Sequence, residues 1–191
     1  RTRDEAVGSW QRVQDNRIDA SNLILPFTLI YSQKLEEDKS SIIIPISGNY
    51  NHLMLIGTGR NTNSNPAYSY LLGSFNGDTS ANNQQQKLRA SYTTLTGERM
   101  TSQTHSILGL LADGGRSANS AESFFVIIPH ITSRFHKMSI MIGGSYIAHL
   151  ATSFWTSDDS ANGLQPVRSL EISSASGNIA AGSLVSVYGL L

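Results

Sequence analysis

The sequence contains no cysteine. This absence excludes a scaffold held by disulfides, thiol catalysis and thiolate metal sites. No run of about 18 apolar residues is present either, so we expect no insertion into a membrane. The 14 basic and 14 acidic side chains cancel, which argues against a nucleic-acid partner bound through bulk electrostatics. Stability must come from packing, and the zero net charge favours association between subunits.

The short motifs that mark catalytic and cofactor sites are also missing. The chain has no GxSxG nucleophile elbow, no glycine-rich loop followed by Lys-Ser/Thr and no HExxH. It has five histidines: His52, His105, His130, His136 and His149. His130 and His136, with Asp158 and Asp159, are the candidates for a metal site, but hydrogen-bonded surface histidines are the favoured interpretation. We therefore predict no metal, no cofactor and no enzymatic activity.

Charge is concentrated at the start of the chain. Residues 1–39 carry 13 of the 28 formal charges, which predicts a charged N-terminal arm over 1–39 and a body over 40–191. Within the arm Val7, Trp10 and Val13, the candidate anchoring residues, recur every three residues, and a short helix and an extended linker are equally favoured. No apolar stretch follows the first charges, so no signal peptide is predicted. The first residue is Arg1, which predicts a processed chain or a piece of a longer one.

The body shows strand patterning separated by turn residues about every ten positions. This spacing predicts an all-β fold, an antiparallel β-sandwich of the jelly-roll type. Asn76-Gly77-Asp78 is the strongest turn signal. The predicted strands are 41–46, 49–57, 68–75, 86–96, 106–111, 122–128, 137–142, 146–155, 167–172 and 184–190. A further β-compatible segment, 23–31, contains Pro26, which points to an edge strand or a bend.

The last two predicted strands, 167–172 and 184–190, are separated by a Gly/Ser/Ala-rich turn, which predicts that they pair with each other. Because the chain ends as the last strand ends, we expect that strand to be docked in a sheet. Apolar residues occur on both of its faces, which favours contact with identical subunits. The candidate interface residues are Leu184, Val185, Val187, Tyr188 and Leu190.

One loop region offers a candidate ligand surface. Trp155 and Tyr146 are aromatic side chains that would stack on a sugar, beside the adjacent acids Asp158 and Asp159. Core packing is the favoured alternative for each aromatic residue. The two acids lack the alternate spacing of a calcium loop, so a solvated loop is favoured there. A polysaccharide-cleaving pair of carboxylates has no support in the spacing of the acids.

Three ordered segments resemble virion structural proteins of tailed bacteriophages. The ending 177–190, GNIAAGSLVSVYGL, is similar to the family's "G-N-F-A-A-G-S-x-x-x-L-Y-G-I" terminus. Upstream, Tyr50, His52, Leu53 and Leu55 match an "I-P-x-x-Y-x-H-L-x-L" segment, and residues 75–79 match an "F-N-G-D-T" turn. Trp155 precedes the strand 167–172, as a tryptophan often does in that family. The resemblance covers about residues 40–191.

The resemblance implies a non-enzymatic β-sandwich on the surface of a phage particle, forming a homotrimer with an arm that contacts other virion proteins. Tail fibre and head decoration remain open as locations. The family pattern carries no catalytic residue. A carbohydrate-binding tip that recognises a host glycan is the alternative, and a polysaccharide depolymerase is less favoured.

Overall fold

The computed structural model describes residues 27–64, 68–91, 93–115, 120–132, 137–144, 148–155 and 165–191. Within these ranges the chain forms twelve strands and no helix, which confirms the predicted all-β class. The strands are β1 (Phe27–Lys34), β2 (Ser41–Pro45), β3 (His52–Gly59), β4 (Tyr68–Phe75), β5 (Asn83–Ser91), β6 (Thr94–Gln103), β7 (Ser106–Ala112), β8 (Glu122–Ile128), β9 (Lys137–Gly143), β10 (Ala148–Trp155), β11 (Ser169–Ser174) and β12 (Leu184–Leu190).

The strands form a two-layer antiparallel sandwich with a jelly-roll-like arrangement. One sheet has eight strands in the order β1-β12-β3-β8-β9-β10-β5-β6, and the other has four in the order β2-β11-β4-β7. The core lies between the sheets, where alternate residues of each strand point inward. Leu53, Leu55, Leu170 and Ile172 are examples, each with no exposed side-chain surface.

The first strand belongs to the body, so the predicted division after residue 39 is corrected. β1 pairs with β12 along its length, from Phe27 opposite Leu190 to Lys34 opposite Leu184. Leu35 follows in the core at 2% exposure, and its N–H donates to the carbonyl of Ser183 at 2.8 Å. The charged residues after Leu35 form a surface turn. Because the predicted boundary is drawn where the density of charge falls, it places β1 in the arm. Val7, Trp10 and Val13 lie outside the described residues.

The last two strands do not pair with each other, contrary to the prediction. β11 lies between β2 and β4 in the small sheet, whereas β12 lies between β1 and β3 in the large one. Because the two strands belong to opposite sheets, they bury side chains in the same core. These are Leu170 and Ile172 of β11 and Val185 and Val187 of β12. The connection crosses between the layers, and Ile179 within it exchanges backbone hydrogen bonds of 2.8 and 2.9 Å with Lys39. The predicted docking of the terminal strand is confirmed.

Two turns show why strand connections are harder to predict than strands. Asn76 and Gly77 have positive φ values of 56° and 71°, as the turn signal predicts, but they lead from the small sheet to the large one. The Asn76 side chain accepts hydrogen bonds from the N–H groups of Arg168 and Ser169, at 2.7 and 3.2 Å.

The predicted strand 86–96 is two strands, β5 and β6. The chain reverses there without the Gly or Asn that usually marks such a turn.

Tyr50 and Gly189, which belong to two different segments of the family resemblance, are in contact. A Cβ atom on Gly189 would lie 2.4 Å from Cδ1 and Cγ of the Tyr50 ring. Because residue 189 has no side chain, the partly buried Tyr50 ring packs directly against its backbone. The matching segments thus act together in holding the terminal strand.

We predict that Leu35→Ala lowers the free energy of unfolding by about 2–5 kcal/mol, because it opens a cavity in the core. The control, Glu36→Ala, changes an exposed neighbour and should cost less than about 0.5 kcal/mol. Urea unfolding followed by tryptophan fluorescence measures both. Equal stabilities of the two variants would contradict the place of residue 35 in the core.

We predict that Gly189→Ala costs about 1–3 kcal/mol of stability through overpacking against Tyr50. Gly97→Ala is the matched control, since a Cβ atom at this strand position meets nothing within 4 Å. A double-mutant cycle with Tyr50→Ala tests the contact: Gly189→Ala should cost less stability in the Tyr50→Ala background than in the wild type, because the ring that it meets is gone. If the losses in unfolding free energy of the two substitutions simply added, the proposed contact between Tyr50 and Gly189 would be contradicted.

Candidate functional site

The outer face of the eight-stranded sheet carries a continuous apolar surface. Strand pairing places Ile56, Phe125, Ile142, Leu150 and Leu88 side by side on β3, β8, β9, β10 and β5. Their side chains are 40%, 37%, 57%, 43% and 41% exposed, in that order. A solvated antiparallel sheet normally shows polar residues on its outer face. This face departs from that rule across five strands.

A second row strengthens the same surface. Tyr188, Met54, Ile127 and Ile140 are neighbours on β12, β3, β8 and β9. Between β12 and β10, the described residues of this face include no Asp, Glu, Lys or Arg. Depletion of charge together with exposed aromatic and aliphatic side chains is typical of the core of a protein–protein interface. We call the outward residues of β12, β3, β8, β9 and β10 the apolar face.

The apolar face contains a groove of about 710 Å³. Its walls include Ile56, Phe125, Ile142, Leu184 and Tyr188, and Gly57 and Gly143 lie at its floor. A Cβ atom on Gly57 would approach the Leu184 carbonyl oxygen to 2.3 Å, so the strands are close-packed there. The groove is therefore a fixed concave feature between strands, suited to receive protruding apolar side chains.

The structure divides the five predicted interface residues between two environments. Leu184, Tyr188 and Leu190 point outward and belong to the apolar face or its margin. Val185 and Val187 are buried at 1% and 0% exposure in the chain's own core. The assignment of these two valines to a subunit interface is wrong, because the alternation of the strand turns them inward. For the other three residues the interface stays a prediction.

The opposite face of the same sheet becomes polar toward the β6 edge. Lys87 and Arg89 of β5 point inward between the sheets, beside His149 of β10 and across from Tyr68 and Tyr70 of β4. With Thr96 and Glu98 of β6, these five residues line a pocket of about 80 Å³. We call it the inter-sheet pocket. It lies on the inner side of the sheet whose outer side is apolar.

Contacts inside the inter-sheet pocket fix its side chains. The Lys87 ammonium group donates to the Tyr70 hydroxyl at 3.0 Å and pairs with the Glu98 carboxylate at 2.9 Å. The Arg89 guanidinium lies over the Tyr68 ring, 5.5 Å from its centroid. The His149 ring packs edge-on against Tyr68 and Tyr70, with centroids 5.2 and 6.1 Å away.

Burial and charge shift two pKa values in the pocket. Burial, which is the largest cause, and the neighbouring Arg89 and Lys87 charges together lower the pKa of His149 from 6.5 to about 4. His149 is therefore neutral at pH 7. Partial burial lowers the pKa of Lys87, but hydrogen bonds to Tyr70 and Glu98 outweigh it and leave that pKa raised. The pocket thus holds permanent cations beside a neutral imidazole.

Trp155, the candidate for sugar stacking, lies in the core at 1% exposure, which agrees with the favoured alternative of core packing. Its centroid is 5.4 Å from that of Phe75, and its indole N–H donates to the Asp78 carboxylate at 2.7 Å. Partial burial raises the pKa of Asp78, but hydrogen bonds from Ser80 and Trp155 outweigh it and hold that pKa below its usual value. Trp155 and Asp78 therefore join β10 to the turn after β4. Tyr146, Asp158 and Asp159 lie outside the described residues.

The histidines do not form a metal centre in the described part of the chain. His52 and His130 are in contact, with ring centroids 5.2 Å apart, and His52 Nδ1 accepts a hydrogen bond from the His130 N–H at 3.2 Å. No group of three metal-ligating side chains occurs among the described residues. His136, the other half of the predicted pair, lies outside them. These contacts support the interpretation of hydrogen-bonded histidines for His52 and His130, whereas His149 is buried and its ring nitrogens have no hydrogen-bond partner among the described residues.

Sequence reasoning missed both the apolar face and the inter-sheet pocket. A signal for the first existed, since β8 reads FFVII and β9 reads MSIMI, with apolar residues on both faces of each strand. For the second, Tyr68 and Tyr70, and likewise Lys87 and Arg89, are two residues apart and share a strand face. That these pairs meet across two sheets depends on connections that the sequence does not encode locally.

We predict that His149 makes the fold less stable as the pH falls from 6.5 to 4. In this range the unfolded chain binds a proton that the folded chain excludes, so stability is complete above pH 6.5 and declines below it. At pH 4 the loss is on the order of 3 kcal/mol. His149→Phe should flatten this part of the profile, measured by urea unfolding from pH 4 to 8. Identical profiles of the two proteins would contradict a buried neutral imidazole.

Comparison with known proteins identifies no family. No family model matches the chain, and no curated protein matches it. Among solved structures, the CBM40 domain of Ruminococcus gnavus IT-sialidase bound to α2,6-sialyllactose has a TM-score of 0.36 at 12% identity, covering 86% of this chain and 95% of that one. Scytalido-glutamic peptidase has a TM-score of 0.31 at 12% identity, covering 81% and 65%. Likenesses this distant carry no argument about function. Among the described residues, no helix is long and apolar enough to cross a membrane.

Proposed function

We propose that this chain is a non-enzymatic structural protein of a tailed-bacteriophage particle, an appendage or decoration module that assembles as a homotrimer. The apolar face is the observation that carries the assembly part of the proposal. Five neighbouring strands present large apolar side chains without a charge among the described residues, on a chain with zero net charge. Such a surface is stable in water when a partner covers it.

A second copy of the chain is the occupant that we propose for the apolar face. The face extends over five of the eight strands of one sheet, and its groove would receive side chains of the second copy such as Ile142, which is 57% exposed. In a three-fold trimer the contacts are heterologous, so one part of the apolar face on each chain would pack against a different part of that face on the next chain around the axis. Leu184, Tyr188 and Leu190 bring the terminal strand into this contact.

The virion part of the proposal is supported by the three sequence segments that resemble phage proteins. Each has a structural role in this fold. Tyr50 packs on Gly189, Asn76 binds the backbone that enters β11, and Ile179 pairs with Lys39. Segments that hold a scaffold together, rather than a reaction centre, fit a structural module. The location on the particle, head or tail, is not part of the proposal.

A carbohydrate-binding tip has less support. Its main candidate, Trp155, is buried beneath Phe75 and bound to Asp78. An accessible aromatic platform is therefore missing at that position, and the apolar face offers few hydrogen-bonding groups for sugar hydroxyls. We keep assembly as the leading function.

We predict that Ile142→Lys converts the trimer to monomers, because a charge on the apolar face would be desolvated in the interface. Ile43→Lys is the matched control: Ile43 is 66% exposed on β2, in the small sheet and away from the apolar face. Light scattering coupled to size-exclusion chromatography measures the mass. Expected results are a trimer for the wild type and the control and a monomer for Ile142→Lys. A wild-type monomer at micromolar concentration would exclude the proposed assembly.

A further inference from the structure

We propose that the inter-sheet pocket binds a carboxylate group. The site consists of the inward side chains of Lys87, Arg89 and His149, with the rings of Tyr68 and Tyr70 as walls. It lies on the inner side of the large sheet, so it is separate from the apolar face and independent of the proposed assembly.

His149 gives the first reason. The side chain is 2% exposed, and within the described residues neither ring nitrogen has a hydrogen-bond partner. A neutral imidazole carries one N–H donor and one acceptor nitrogen. Burying both without partners is costly, and native proteins usually satisfy such atoms with a protein group, an ordered water or a bound ion. An oxyanion in the pocket would satisfy the donor.

Arg89 gives the second reason. Its guanidinium contacts the Tyr68 ring and forms no ion pair among the described residues. Lys87, one position along the same face, has two of its three N–H donors occupied by Tyr70 and Glu98. A guanidinium presents two parallel N–H groups that match the two oxygens of a carboxylate. Both cations are thus able to bind one further anion.

Charge and size select a carboxylate over a larger anion. Lys87 and Arg89 with Glu98 leave one net positive charge, which a singly charged carboxylate neutralises. Phosphate carries more than one negative charge near pH 7, so Glu98 would repel it more strongly than it repels a carboxylate. The volume of about 80 Å³ holds roughly two or three waters or one carboxylate group. Thr96 and Glu98 are exposed at the β6 side, so the rest of a ligand would extend into solvent there.

The test is a titration of the full chain, labelled with ¹⁵N-histidine, at pH 7 and constant ionic strength maintained with chloride. Acetate, glucuronate, phosphate and neutral glucose are the probes. We expect a saturable shift of the His149 ring nitrogens with acetate and glucuronate, weaker binding of phosphate, and no shift with glucose. Phosphate binding as tight as that of acetate would overturn the selection of a carboxylate. Equal affinities for acetate and glucuronate would identify a free small carboxylate as ligand, and tighter glucuronate binding a carboxylate borne by a saccharide.

Variants make the assignment specific. Arg89→Gln should weaken carboxylate binding about tenfold or more, and Arg89→Lys should weaken it less, because the charge remains while the paired donors are lost. The matched control is Arg99→Gln on β6, where the arginine is exposed on the other face of the sheet and its loss should change nothing. The proposal is overturned by the absence of a saturable shift with both carboxylates, by equal binding of glucose, or by equal effects of Arg89→Gln and Arg99→Gln.

Discussion

The eight-stranded sheet is apolar on both faces through its centre, and the four-stranded sheet covers only one of them. Burial of the inner face gives the sandwich its core, with Leu53, Leu55 and Val126 fully enclosed. On the outer face, Ile56, Phe125 and neighbouring side chains keep more than a third of their surface exposed. Because removal of apolar area from water is favourable, a second layer that covers the outer face would stabilise this sheet. Our proposal of self-association follows from this exposed apolar area.

The polarity of the sheet reverses toward its β5–β6 end. There the inner face carries Lys87, Arg89 and His149, while Leu88 and Leu150 point outward. A sheet that places cations inside and leucines outside departs twice from the usual pattern of a sandwich. The two departures have different consequences, since the outward leucines extend the proposed interface, whereas the inward cations make the pocket for which we propose a carboxylate ligand.

Strand positions could be predicted well from the sequence, whereas pairing could not. Period-2 alternation is a local property, so β3, β8 and β12 were predicted within a few residues of their bounds. Pairing depends on which core a strand shares, and for that reason β11 and β12 belong to different sheets although a turn-like segment separates them. Charge misled the division of the chain, because the acids that follow Leu35 are a surface turn. Trp155 shows the same limit for the site: its residue type allows both stacking and core packing, core packing is favoured, and only the fold decides.

Oxidation of individual methionines by dilute hydrogen peroxide tests the covering of the apolar face most directly. Met54 and Met138 point outward on β3 and β9, whereas Met100 is similarly half-buried but lines a cavity between the sheets, which makes it an internal reference. Our account predicts that in the native protein Met54 and Met138 oxidise much more slowly than Met100, close to the rate of the buried Met141. Oxidation of Met54 and Met138 as fast as Met100 would contradict the account.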